Sequence, residues 1–186
     1  MGRVHAEISD ELRSWIQQQR IFFVSTAPID AAGHINCSPK GGDTFRILED
    51  CRVAYLDLTG SGVETIAHLQ ENGRIVVMFC AFAGPPRIVR LHGRGEPVYP
   101  SDPRHAALAA RFPALPGARA VILVTVTRIS DSCGMSVPRY EFLGSRDNLD
   151  RWAESKGPDG VAKYRREKNA RSIDGLRGYG ESGVLE

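Results

Sequence analysis

The chain has 186 residues, enough for one domain with its own hydrophobic core. Its 24 Lys and Arg against 22 Asp and Glu leave a formal net charge of +2, too balanced for a dedicated nucleic-acid binder. With 42% hydrophobic and 25% charged residues, no apolar run of membrane-span length and a charged start at Met1–Trp15, the expectation is a folded cytoplasmic protein without membrane contact.

Nineteen Gly and 11 Pro imply many turns, and therefore strands. A first helix opens at Ser9 or Asp10 and places Leu12, Trp15 and Ile16 on one face. Ile21–Thr26 is β-branched and aromatic and reads as a strand, returned by His34–Ser38 after a turn. Arg52–Leu58 is a strand that runs into Thr59–Gly62 and a helix over about 63–71, closed by Asn72-Gly73. Arg74–Cys80 is nearly all apolar and should be central. Arg87–Val98 is a strand bent at Gly93 and Gly95. A short helix over Pro103–Phe112 and a long strand over Ala120–Ile129 follow, then Arg139–Phe142. Two surface helices are expected at Asp147–Ser155 and Asp159–Asn169, with a flexible tail over Gly175–Glu186. Six or seven strands joined by short turns fit an antiparallel, closed or partly closed barrel with peripheral helices.

The cysteines are Cys37, Cys51, Cys80 and Cys133, with no Cys-x-x-Cys and no two His close together, so no metal site is expected. The first three read as small core residues. Cys133 lies in Ser132–Ser136, which either shapes a turn or approaches a ligand.

Thr59-Gly60-Ser61-Gly62-Val63-Glu64-Thr65 joins a strand to a helix. Glycines permit close backbone approach, and the helix start offers free N–H groups and a positive dipole end. With three hydroxyls this makes a phosphate cradle; the plainer reading is a turn at Gly60 and a helix cap at Ser61. A Walker A lysine is missing, and the strand ending Phe79–Phe82 lacks the acid of a dinucleotide fingerprint. Asn36-Cys37-Ser38-Pro39-Lys40-Gly41-Gly42 is a second candidate, with Lys40 either a phosphate cation or a solvated loop lysine. Along Arg87–Gly93, Arg90 and His92 share a face that is either an outer polar face or the lining of a cleft or subunit contact.

The order of these segments, Phe22–Thr26, Gly33–Gly41, Tyr55–Thr65 and Arg87–Gly95, resembles the pyridoxamine 5′-phosphate oxidase-like family of FMN-binding split barrels. The resemblance covers about residues 5–145, and Ser132–Pro138 and Lys168–Leu176 resemble a branch with a C-terminal extension. It implies a mainly β (α+β), six- to seven-stranded antiparallel split barrel over 1–145, with a helical extension and tail over 146–186 packed on it. It implies a homodimer with FMN sites at the interface. Ser38, Pro39, Lys40 and Gly41 would lie near the flavin ring and phosphate; Thr59, Gly60, Ser61, Gly62 and Thr65 would hold the phosphate; Arg87 would reach the cofactor. Ile88 stands where the named oxidase often has glutamine, and the ending Tyr179–Glu186 carries neither its C-terminal Arg-x-His segment nor its Arg-Leu-x-Pro ending, so vitamin B6 oxidation is not expected. The expectation is a dimeric FMN-dependent oxidoreductase on a small substrate. A non-catalytic flavin- or haem-binding module is the alternative, and a deazaflavin in place of FMN stays open.

Overall fold

Period-two alternation builds the sheet. The computed structural model describes residues 2–180. In strand β2 (Ile21–Thr26), Phe22, Val24 and Thr26 are buried while their neighbours are only partly covered. It follows β1 (Val4–His5) and helix α1 (Asp10–Gln17), which is capped by Ser9 and buries Leu12 and Ile16. Next come β3 (Asn36–Gly41), β4 (Phe45–Glu49), β5 (Arg52–Leu58), α2 (Glu64–Asn72), β6 (Arg74–Cys80) and β7 (Ile88–Val98). The chain continues through α3 (His105–Ala109), β8 (Ala118–Ser132) and α4 (Asn148–Lys168).

All strand pairs are antiparallel, in the order β3-β2-β6-β7-β8-β5-β4, with β1 added on β8. The sheet curls into a split barrel of the mainly β, α+β class. Its concave face carries Phe22, Val24, Val77, Phe79, Val89, Leu91, Ile122 and Val124, sealed by Leu12 and Ile16 of α1 and Ile66 and Leu69 of α2. Each such side chain contributes about 1.5–3 kcal/mol on burial. The bend in β7 is a bulge at His92/Gly93, where a Cβ on Gly93 would stand 2.2 Å from the Thr125 carbonyl oxygen.

Some expected elements differ. The return strand begins at Asn36 and runs to Gly41, and Phe45–Glu49 is a strand where none was expected. Residues 139–142 form no strand; Tyr140 N–H donates to the Phe82 carbonyl instead. The two expected C-terminal helices are both present: the range given for α4 spans them, and the non-helical Gly157 (φ 66°, ψ 170°), just before Pro158, separates them. Cys37 and Cys51 are exposed rather than in the core, because both sit at sheet edges or turns; Cys80 is buried. Of the expected tail, residues 175–180 are held by the protein: the Tyr179 ring packs 5.4 Å from Tyr99. The rest, 181–186, lies outside the described residues. No helix among the described residues is long and apolar enough to cross a membrane.

Candidate functional site

The edge strand β3 sorts its side chains by alternation. Asn36, Ser38 and Lys40 pair in register with Thr26, Val24 and Phe22 and so share the concave face. Cys37, Pro39 and Gly41 take the opposite face. Ser38 and Lys40 thus look toward the end of β5 and the loop into α2. There they meet Gly60, Ser61, Gly62 and Thr65, together with Asn36, Leu58, Glu64 and Arg119, around a cavity of about 220 Å³. Two separately expected segments therefore form one site.

Its charge comes from one triad. Asp57 is fully buried, with Arg119 Nε 2.5 Å from Oδ2 and Lys40 Nζ 3.6 Å from Oδ1. An isolated buried carboxylate would be severely penalised, so the two cations are what permit it. The two cations outnumber the buried carboxylate and present donors at the cavity wall, where Glu64 is the second carboxylate. Arg119 also donates to the Gly62 carbonyl (3.0 Å), fastening the loop. Beneath, the Tyr55 phenol is fully buried, and burial followed by the Asp57 charge pushes its pKa well above the ordinary value of 10.

The polar wall is linked. Ser38 Oγ donates to Asn36 Oδ1 (3.1 Å), and Asn36 Nδ2 donates to Thr65 Oγ1 (3.0 Å). The N-cap of α2 is Val63, not Ser61, and no side chain caps it, so the N–H groups of its first turn remain available. Gly60 has open space where a Cβ would stand. The Glu64 carboxylate is the opposing charge in the lining; its Oε1 accepts the Ile173 N–H at 3.3 Å. The donor set suits an anion: two cations, three hydroxyls and an uncapped helix start.

Not every expected residue joins this lining. Thr59 is buried with its hydroxyl accepting from Arg165 Nε (2.9 Å), and so braces the loop from behind. Pro39 and Gly41 point to the other face of β3. Arg87 bonds Glu11 (3.1 Å) and Asp131 (2.9 Å) and lies over Trp15. Arg90 and His92 lie on the convex face, where Arg90 donates to Ser132 Oγ (3.0 Å). Phe23, Val76 and Met78 share that face and are only half-buried.

Sequence reasoning missed Arg119, Arg165 and Asn169, and gave Asn36, within the second candidate segment, no role of its own. A signal existed for Arg119: Asp57 and Arg119 are charges inside apolar strands, which calls for a mutual partner. Asn36 was reachable by alternation from Ser38. Nothing local marks Arg165 or Asn169.

A family model described as Pyridoxamine 5'-phosphate oxidase matches residues 8–133. Pyridoxamine 5'-phosphate oxidase family protein ustO of Aspergillus flavus is 41% identical over 191 residues, covering 94% of this chain and 76% of that protein. Among solved structures, HupZ of Group A Streptococcus has a TM-score of 0.51 at 24% identity, covering 66% of this chain and 91% of that one. A protein of the pyridoxinephosphate oxidase family from Clostridium acetobutylicum, related to a general stress protein, has a TM-score of 0.51 at 13% identity, covering 66% of this chain and 86% of that one. The two structures share its fold.

Proposed function

The chain belongs to the pyridoxamine 5′-phosphate oxidase family, and from that premise we propose that it is an FMN-binding flavoprotein, an oxidoreductase on a small substrate other than the B6 vitamers. The observation that carries the reading is the triad of Lys40, Asp57 and Arg119 set against the uncapped start of α2. This cradle fits a phosphate monoester. Lys40 and Arg119 supply charge, Ser38, Ser61 and Thr65 supply hydroxyls, and Gly60 leaves room for close approach.

At about 220 Å³ the cavity is smaller than the roughly 300–1,000 Å³ of a whole-ligand pocket. It suits the phosphate end, so the flavin ring would lie outside it. The half-buried convex face around Phe23, Val76 and Met78 supports a homodimer in which a second copy helps cover the ring. When bound, the flavin supplies the hydride or electron chemistry. The protein's part is to anchor and orient through Lys40, Arg119 and the loop. No nucleophile is needed.

The test is the spectrum of the purified protein, then titration with FMN and with riboflavin. A yellow protein, or saturable FMN binding that exceeds riboflavin binding, is expected. Failure of FMN either to bind or to raise the melting temperature overturns the reading. Size-exclusion with light scattering checks the dimer separately.

A further inference from the structure

A second cavity, about 570 Å³, opens at the turn between β3 and β4 and shares no lining residue with the first. Gly42, at φ 70°, makes that turn, and Thr44 Oγ1 donates back to the Gly41 carbonyl (2.9 Å). The strand β4 consequently departs from β3, and the gap between these two sheet edges exposes the end of the barrel core. The floor is aromatic. Phe22, Phe45 and Phe79 form a cluster with ring centroids 5.0–5.8 Å apart. Phe22 and Phe79 close the core side, while Phe45 and Ile47 are only half-buried and present apolar surface to the cavity.

The rim is positive and uneven. The charge of Arg46 is matched by Asp43 through two hydrogen bonds of 2.5 and 2.9 Å. Arg20 has no carboxylate partner among the described residues; it lies over the Phe142 ring, 5.5 Å from its centroid. Stacking occupies the face of a guanidinium and leaves its N–H edge free for a planar anion. The volume lies within the range of small-molecule pockets.

We propose that this cavity is a second small-molecule site, separate from the phosphate cradle, that takes a compact aromatic carboxylate. The ring packs on Phe45 and Ile47, where tilted aromatic contacts are already the rule. The carboxylate takes the free edge of Arg20. A cationic ligand meets the charge of Arg20, which no carboxylate among the described residues offsets, and is rejected.

Phenylacetate, phenylacetamide and phenethylamine, titrated into the full chain by heteronuclear NMR, test this. Phenylacetate should saturate, with shifts centred on Gly42, Arg46 and Phe142. Phenylacetamide should bind at least about tenfold more weakly, and phenethylamine not at all. Arg20→Gln, at an exposed position, should remove the preference for phenylacetate over its amide, while Ser61→Ala should leave phenylacetate binding unchanged. Absence of saturation, equal affinity for acid and amide, or displacement by inorganic phosphate overturns the site. A change of oligomeric state in Arg20→Gln with unchanged phenylacetate affinity also overturns it, because the cavity would then be a subunit contact. Phenylacetate binding without FMN binding would fail the flavin reading alone.

Discussion

Asn169 donates its side-chain amide to the carbonyl of Gly60 across 2.9 Å, joining the end of α4 to the glycine loop 109 residues earlier. The same amide lies 3.4 Å from the Ser61 carbonyl, and Arg165 holds Thr59 and the Ala118 carbonyl (2.7 Å). Asn169 is fully buried, so its replacement removes the tie to the exposed Gly60–Ser61 loop and leaves a void beneath it. Asn169→Ala is expected to cost about 1–3 kcal/mol in urea unfolding and to weaken FMN as the loop loosens. Full retention of both would remove the C-terminal segment from the site's architecture.

The cations flanking Asp57 should behave differently. Arg119 is buried at 4% exposure and closest to the carboxylate, whereas Lys40 is 23% exposed and more distant. Arg119→Met leaves a buried carboxylate short of its main partner and should destabilise by about 3–5 kcal/mol. Lys40→Met should cost at most about 1 kcal/mol of stability yet weaken FMN by about 1–3 kcal/mol, as its charge faces the cavity. Matched unfolding and titration curves decide. Equal stability losses in the two variants would mean that they share the carboxylate evenly.

How much of this was legible depended on range. Alternation and β-branched runs located β2, β5, β6, β7 and β8, because a half-buried strand writes its period into a few consecutive residues. Phe45–Glu49 was missed because four of its five residues are half-buried and no clean period results. Ser38, Lys40, Gly60, Ser61, Gly62 and Thr65 were found as two loops, but only the register of β3 on β2 shows that they face one cavity. Pro39 and Gly41 fell outside by the same alternation. Arg165 and Asn169 were illegible because their partners, the Thr59 hydroxyl and the carbonyls of Ala118 and Gly60, lie 47 to 109 residues earlier in the chain.

Two glycines separate structural from ligand-related need. A Cβ at Gly93 would meet the Thr125 backbone at 2.2 Å, where nothing flexible can yield; one at Gly60 meets nothing within 4 Å. Gly93→Ala should destabilise by about 1–3 kcal/mol by forcing the bulge open. Gly60→Ala should stay within about 0.5 kcal/mol of the parent in thermal unfolding and yet lower FMN affinity, because the methyl takes space beside the cavity. An unfolded Gly60→Ala protein would refute this division.

Stability should fall between neutral and mildly acidic pH through two histidines. Burial is the main cause that lowers the His68 pKa, against opposing pulls from Asp174, Glu71 and Glu64. Burial, then Arg128 and Arg90, lowers that of His92. Both stay neutral in the folded protein at pH values where the unfolded chain, titrating near 6.5, already binds protons. The unfolded state therefore gains stability as pH drops below about 6.5, until the folded-state values are passed. The carboxylates of Asp43 and Asp131 are lowered too, so their contribution holds above about 3.8 and is lost only at stronger acidity. The histidine window thus stands apart. Urea midpoints at pH 7.5 should exceed those at pH 5.5, and His68→Gln with His92→Gln should flatten the difference. An unchanged slope in the double variant would place the proton uptake elsewhere.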